Sequence, residues 1–129
     1  MDVNDLTHSV IGCAFKVHNT LGFGFLEKVY ENALKLELKK QNIYVQQQAR
    51  IPVWYEDQQV GVYFPDLWIE DQLIVEIKAA VALAPEHEMQ LVHYLAATGI
   101  DHGLLINFGA KVQIKRKFRE YKPKRIPVL

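Results

Sequence analysis

The chain has 129 residues, about one domain by length, and can bury a core without covalent staples. Hydrophobic residues make up 50% and charged residues 23%, which excludes a disordered, collagenous or coiled-coil chain. One cysteine, Cys13, excludes an intrachain disulfide and a multi-cysteine zinc site, and fifteen Lys and Arg balance fifteen Asp and Glu. Met1 to Asp5 holds two acids and no base, unlike a secretory leader, and no apolar run approaches a bilayer span. A reducing, cytoplasmic setting without membrane contact is therefore expected.

Leu6, Val10, Ile11, Ala14, Val17, His18 and Leu21 repeat with helical spacing, with Asn4 or Asp5 as a cap. Gly22 and Gly24 end that helix and turn the chain. A second helix is expected over Leu26 to Lys40, with Leu26, Tyr30, Ala33, Leu34 and Leu38 as its apolar face. Strand-forming residues then run from Ile43 to Tyr55, followed by a turn at Glu56 to Gln59. Val60 to Phe64 reads as the next strand, continued past Pro65 by Asp66 to Glu70 around a bulge. Asp71-Gln72 turns into the apolar strand Leu73 to Lys78. Pro85 opens a third helix that Gly99 stops near Thr98. Gly103 to Phe108 and Lys111 to Phe118 are the last strands. The order α, α, β, β, β, α, β, β implies a mixed sheet with helices on its faces.

The charge is unevenly spread. Lys111, Lys115, Arg116, Lys117, Arg119, Lys122, Lys124 and Arg125 face only Glu120, so segment 111–125 carries +7 and the preceding residues −7. Such asymmetry marks either an anion-binding element or a solvated end paired with an acidic body.

Side chains alternate across a strand, so Glu76 and Lys78 share one face while Val75 and Ile77 take the other. Two charges in an apolar strand are costly without partners. They form either an ion pair at a half-exposed strand end, or a metal ligand beside a water-activating lysine. A hairpin at Asp71-Gln72 would bring Asp66 back near Glu76. Two carboxylates so placed need a proton or a cation between them, and hard oxygen ligands suit Mg²⁺ or Mn²⁺. Gln90 and Tyr94 stand at i and i+4 on the third helix, able to face the cluster or simply to divide between surface and core. Glu27, in the first turn of the second helix, suits the helix dipole whether or not it reaches the site.

Gly24-Phe25-Leu26-Glu27-Lys28-Val29-Tyr30 resembles the pattern that names the GxxExxY family of small prokaryotic proteins. Tyr63 to Leu67, Ile74 to Ala79, His87 to Leu95 and Leu105 to Gly109 are similar to that family in the same order. The likeness covers roughly residues 6 to 120, and the family is placed in the PD-(D/E)XK nuclease-like superfamily. It implies one domain over 1–129, with a restriction-endonuclease-like mixed β-sheet flanked by helices. It further implies a Mg²⁺-dependent (or Mn²⁺-dependent) nuclease acting on nucleic acid, DNA in preference to RNA. By the same resemblance Asp66, Glu76 and the backbone carbonyl of Ile77 are metal ligands and Lys78 orients the attacking water. Glu27 matches a helical acid that joins the site, and Gln90 and Tyr94 match a Gln-x-x-x-Tyr element. The alternative is a catalytically inert nucleic-acid- or protein-binding module on the same fold.

His87 and His93 are six apart, which excludes a His-Glu-x-x-His zinc site. His18 is expected as a hydrogen-bonded core histidine, His87 at the border of the site, and His8 and His102 on the surface. Cys13 reads as a small buried hydrophobe. Trp54, Tyr55, Tyr63 and Trp68 are candidates for base stacking, for packing the sheet, or for a homodimer surface.

Overall fold

The structure, a computed structural model, describes residues 1–120, so Lys122, Lys124 and Arg125 of the basic segment lie outside the described residues. Helix α1 (Val3–Leu21) is capped by Asp2, whose carboxylate accepts hydrogen bonds from the amides of Asn4 (2.8 Å) and Asp5 (3.0 Å). The start is two residues ahead of the expected Asn4, because Asp2 is the last extended residue and its side chain reaches both free amides. Helix α2 (Glu27–Lys40) buries Tyr30, Leu34 and Leu38. Leu26 does not join that face; it precedes the helix and is 81% exposed.

The strands are β1 (Val45–Gln47), β2 (Ile51–Tyr55), β3 (Gln58–Tyr63), β4 (Leu67–Ile69), β5 (Leu73–Lys78), β6 (His102–Phe108) and β7 (Val112–Phe118), with α3 (Pro85–Thr98) between β5 and β6. Five strands thus precede α3, where three are expected from the pattern. Gln48 takes a positive φ of 54°, which splits the run Ile43 to Tyr55 into β1 and β2. Pro65 cannot donate to a ladder, so Asp66 to Glu70 does not continue β3. The chain instead enters a different sheet at Leu67. Glu70 and Asp71 both take positive φ, and the turn into β5 falls one residue earlier than Asp71-Gln72.

The main sheet has the order β1-β4-β5-β6-β7, and β2-β3 forms a separate hairpin. All neighbours in the main sheet are antiparallel except β5 and β6, which α3 connects as a crossover. Alternation assigns the two faces. Leu73, Val75, Ile77, Leu104, Ile106 and Phe108 pack with α1 and α2 in the larger core. Ile74 and Leu105 pack with Leu91 and Leu95 of α3 and with Ile51 and Tyr63 of the hairpin in the smaller one. Glu76 and Lys78 fall on the second face, as the alternation requires. No helix among the described residues is long and apolar enough to cross a membrane.

Candidate active site

The register Leu67↔Val75 sets Asp66 opposite Glu76, one step beyond the end of the β4–β5 ladder. Cross-strand neighbours share a face, so the two carboxyls meet. Asp66 is held from three sides. Its Oδ2 accepts from the amide of Ile77 (2.7 Å), its Oδ1 accepts from Gln48 Nε2 (3.2 Å), and its carbonyl accepts from the Gln48 amide (3.1 Å). Glu76 Oε1 accepts from the hydroxyl of Tyr63. Burial pushes the Glu76 carboxyl up to about 8, and the Asp66 charge adds to the rise, against the opposing pull of the Tyr63 hydroxyl and Lys78. Burial raises Asp66 as well, opposed by the Ile77 amide. The pair therefore holds a proton at neutral pH.

Tyr63 ends the hairpin, and its ring stacks on Tyr94 of α3, with centroids 3.9 Å apart and planes 7° from parallel. Tyr63, Glu76, Lys78, His87, Gln90 and Tyr94 line a cleft of about 330 Å³. Gln90 and Tyr94 thus share this cleft with Glu76, Gln90 exposed and Tyr94 half-buried. Glu27 lies elsewhere. It is exposed, and with Phe25, Lys28, Glu31, Gln48 and Asp66 it lines a second cleft of about 490 Å³. Asp66 lines this second cleft with Glu27, while Glu76 and Lys78 line the first.

Glu31 is a member of this site that sequence reasoning passes over. It is buried and accepts from Lys28 Nζ (2.8 Å), from Gln47 Nε2 and from Gln48 Nε2 (3.2 Å). Burial alone would raise its carboxyl, but these donors outweigh burial and hold it below the usual range. Gln48 bridges Glu31 to Asp66. The available signal was spacing: Glu31 is i+4 from Glu27 on one helix face. Tyr30, between them, is buried. Its hydroxyl donates to the Gly22 carbonyl (2.7 Å) and accepts from the Phe25 amide (3.3 Å), which pins the α1–α2 turn where Gly22 and Gly24 take positive φ.

The far side of β5 is locked by Asn107, fully buried and paired in register with Lys78. Its Oδ1 accepts from the Ala80 amide (2.9 Å) and its Nδ2 donates to the Ala80 carbonyl (3.0 Å). At Gly109 a Cβ would come within 2.7 Å of the Ala80 carbonyl, so only glycine permits this approach. These contacts hold the chain just past Lys78.

His18 is partly buried and its Nε2 bonds the Gly109 carbonyl (2.8 Å). His8 is exposed, but His102 is not a free surface residue; it is half-buried edge-on against Phe118 at 5.6 Å. Its ring is drawn in because it starts β6 opposite Phe118 of β7. Cys13 is buried, and burial pushes its thiol up. Trp54 and Tyr55 are exposed, while Trp68 is half-buried and Tyr63 belongs to the cleft. In the described part of the basic segment, Lys117 pairs with Glu88 (2.6 Å) and Arg119 with Asp101 (2.9 Å).

Among the described residues no three His, Cys, Asp or Glu side chains form a metal-binding group. Asp66 and Glu76 nonetheless fit a hard divalent cation, because Mg²⁺ is commonly held by one or two carboxylates and completed by waters and substrate oxygens. The raised carboxyls of Asp66 and Glu76, both half-buried and facing each other, are the kind of pair that a cation between them would relieve.

No match was found among the curated proteins. An alkaline exonuclease (LHK-Exo) from Laribacter hongkongensis is similar in structure, with a TM-score of 0.53 and 14% identity over 72% of this chain and 56% of that one. A solved structure of SSO0001 has a TM-score of 0.55 and 18% identity over 74% of this chain and 50% of that one. The chain therefore spans about half the length of these structures, and the likeness is one of fold: a mixed sheet flanked by helices, restriction-endonuclease-like as expected. The PD-(D/E)XK nuclease superfamily model matches residues 4–119. A match that runs from the start of α1 to the end of β7 leaves no element of the described fold outside it, and the chain belongs to the PD-(D/E)XK nuclease superfamily.

Proposed function

We propose that the chain is a metal-dependent nuclease that hydrolyses phosphodiester bonds of nucleic acid, DNA in preference to RNA. The observation that carries this reading is the meeting of Asp66 and Glu76 across β4 and β5, with Lys78 two residues on along the same face. Asp66, Glu76 and the backbone carbonyl of Ile77 would hold Mg²⁺ or Mn²⁺, displacing the proton that the carboxyls share. When bound, the ion supplies Lewis-acid polarisation of the phosphate and a more acidic water.

The chain's own residues do the rest. Asp66 is oriented by the Ile77 amide and Gln48, and Glu76 by the Tyr63 hydroxyl, so both present fixed oxygens. Lys78 orients the attacking water and balances charge on the phosphate. Gln90 and the Tyr94 hydroxyl line the same cleft and hold phosphate oxygens or Lys78. Glu27, on the second cleft with Asp66, holds a water or a second ion. Membership of the superfamily supports the reading, since its nucleases generally use divalent metals.

Labelled single- and double-stranded DNA and RNA, incubated with Mg²⁺, Mn²⁺ or a chelator, test it. The expected result is cleavage of at least one substrate that needs the ion and falls about 10²-fold or more in Lys78→Ala. Folded protein that binds a substrate but cleaves none with either ion would overturn the nuclease and favour the inert nucleic-acid-binding module, and protein that neither binds nor cleaves would leave only the protein-binding one.

A further inference from the structure

The cleft beside Glu76 contains a donor that the preceding reading does not use. His87 lines that cleft with Glu76, Lys78 and Gln90. Its Nδ1 accepts from the backbone amide of Ala84 at 3.3 Å, a contact that folds the ring back onto the start of α3. A nitrogen that accepts a hydrogen bond carries no proton, so the neutral imidazole keeps its proton on Nε2. Nε2 is on the opposite edge of the ring, and among the described residues it has no hydrogen-bond partner. The cleft that His87 lines is mixed: Glu76 and Lys78 come from β5, Tyr63 from β3, and Gln90 and Tyr94 from α3.

We infer that His87 is a substrate-contacting residue whose Nε2–H donates to a non-bridging oxygen of the bound phosphodiester. The inference rests on the nuclease reading and adds a named phosphate donor to it. Lys78 supplies a charge and Gln90 an amide, while His87 supplies a donor whose direction is preset by the Ala84 bond. A preset donor loses little freedom on binding, which is what a positioned phosphate requires. The donor is available with the ring neutral, so the role does not depend on protonating His87.

The competing explanation is that His87 only caps α3. It stands three residues after the cap residue, where Gln and Glu serve equally well as the reciprocal acceptor. Two substitutions therefore separate the roles. His87→Gln keeps an acceptor for the Ala84 amide and a donor for the cleft. His87→Glu keeps the acceptor, removes the donor and sets a negative charge where the phosphate would lie.

Binding of a short fluorescein-labelled single strand and of its duplex is followed by anisotropy with Ca²⁺ present, and Tm is taken on the same samples. Both variants should melt as the wild type does. His87→Gln should bind within a few-fold of wild type, and His87→Glu should lose about 10- to 100-fold in affinity. Affinity unchanged in His87→Glu, or lost in both variants together with Tm, would overturn the inference and leave the nuclease reading standing. Wild type that neither binds nor cleaves strand or duplex would overturn both.

Discussion

Glu31 and Glu76 are acids pressed against the same sheet, one from the α2 side and one on the α3 side, and the fold treats them in opposite ways. Glu31 receives three side-chain donors, and its carboxyl stays below the usual range despite burial. Glu76 receives one hydroxyl and faces a second carboxyl, and its carboxyl rises to about 8. Burial acts on both; donor supply decides the sign. A structural acid is satisfied by its own chain. An acid left short of positive charge is where the proposed cation would sit, and that difference separates the scaffold from the candidate working side of this site.

The largest effect expected is at the satisfied acid. Glu31→Ala removes the buried acceptor that Lys28, Gln47 and Gln48 share and should cost about 2–3 kcal/mol of stability by urea denaturation. A loss near zero would mean that Lys28, Gln47 and Gln48 do not hold Glu31 as the geometry indicates.

At the starved acid the sign should reverse. Glu76→Gln should raise the stability of the metal-free protein by about 1–2 kcal/mol at pH 8, because it removes a half-buried charge that the Tyr63 hydroxyl and Lys78 only partly offset against Asp66. The same comparison appears in pH dependence. Glu76 has a folded value raised from its ordinary 4.5 to about 8, so the folded protein holds the proton more tightly than the unfolded chain. The Glu76 contribution to metal-free stability should therefore be full below about pH 4.5 and be lost as pH rises towards 8, and Glu76→Gln should remove much of that slope. Glu31, lowered in the folded protein, works the other way: its contribution is present above its ordinary 4.5 and is lost as the pH falls through its lowered value. Thermal melts from about pH 2 to about pH 9, in chelator, read both signs, Glu31 at the acid end and Glu76 at the neutral end.

A smaller effect is expected at the bridge. Gln48→Ala should cost about 1 kcal/mol, since Asp66 and Glu31 each keep other donors. The smallest concerns the basic segment. Deleting the residues after Phe118 should flatten the salt dependence of nucleic-acid binding by a few charges, because Lys117 pairs internally and stays. An unchanged slope would move phosphate tracking to another surface.

Much of the working side was legible in the sequence. Strand alternation alone set Glu76 and Lys78 together and away from Val75 and Ile77, and the hairpin returned Asp66 to them. Helical spacing put Gln90 and Tyr94 on one face of α3 but left open whether that face met the cluster; only the family resemblance pointed there. The rest depended on contacts that no local pattern encodes. Glu31 is significant only because Gln47 and Gln48, from a kink at positive φ, fold back onto it. Tyr63 read as one more sheet aromatic, because its link to Glu76 joins the hairpin to a different sheet. The same break at Pro65 hid the split between β3 and β4, since three-residue strands leave almost no periodicity to read.

The most direct test of the account is calorimetric titration of Mn²⁺ into the metal-free protein, with and without a short oligonucleotide, for wild type, Glu76→Gln and Glu31→Gln. The account predicts binding to wild type, loss of binding in Glu76→Gln, and binding within a few-fold of wild type in Glu31→Gln. Equal binding in wild type and Glu76→Gln, or none to wild type even with the oligonucleotide, would contradict it.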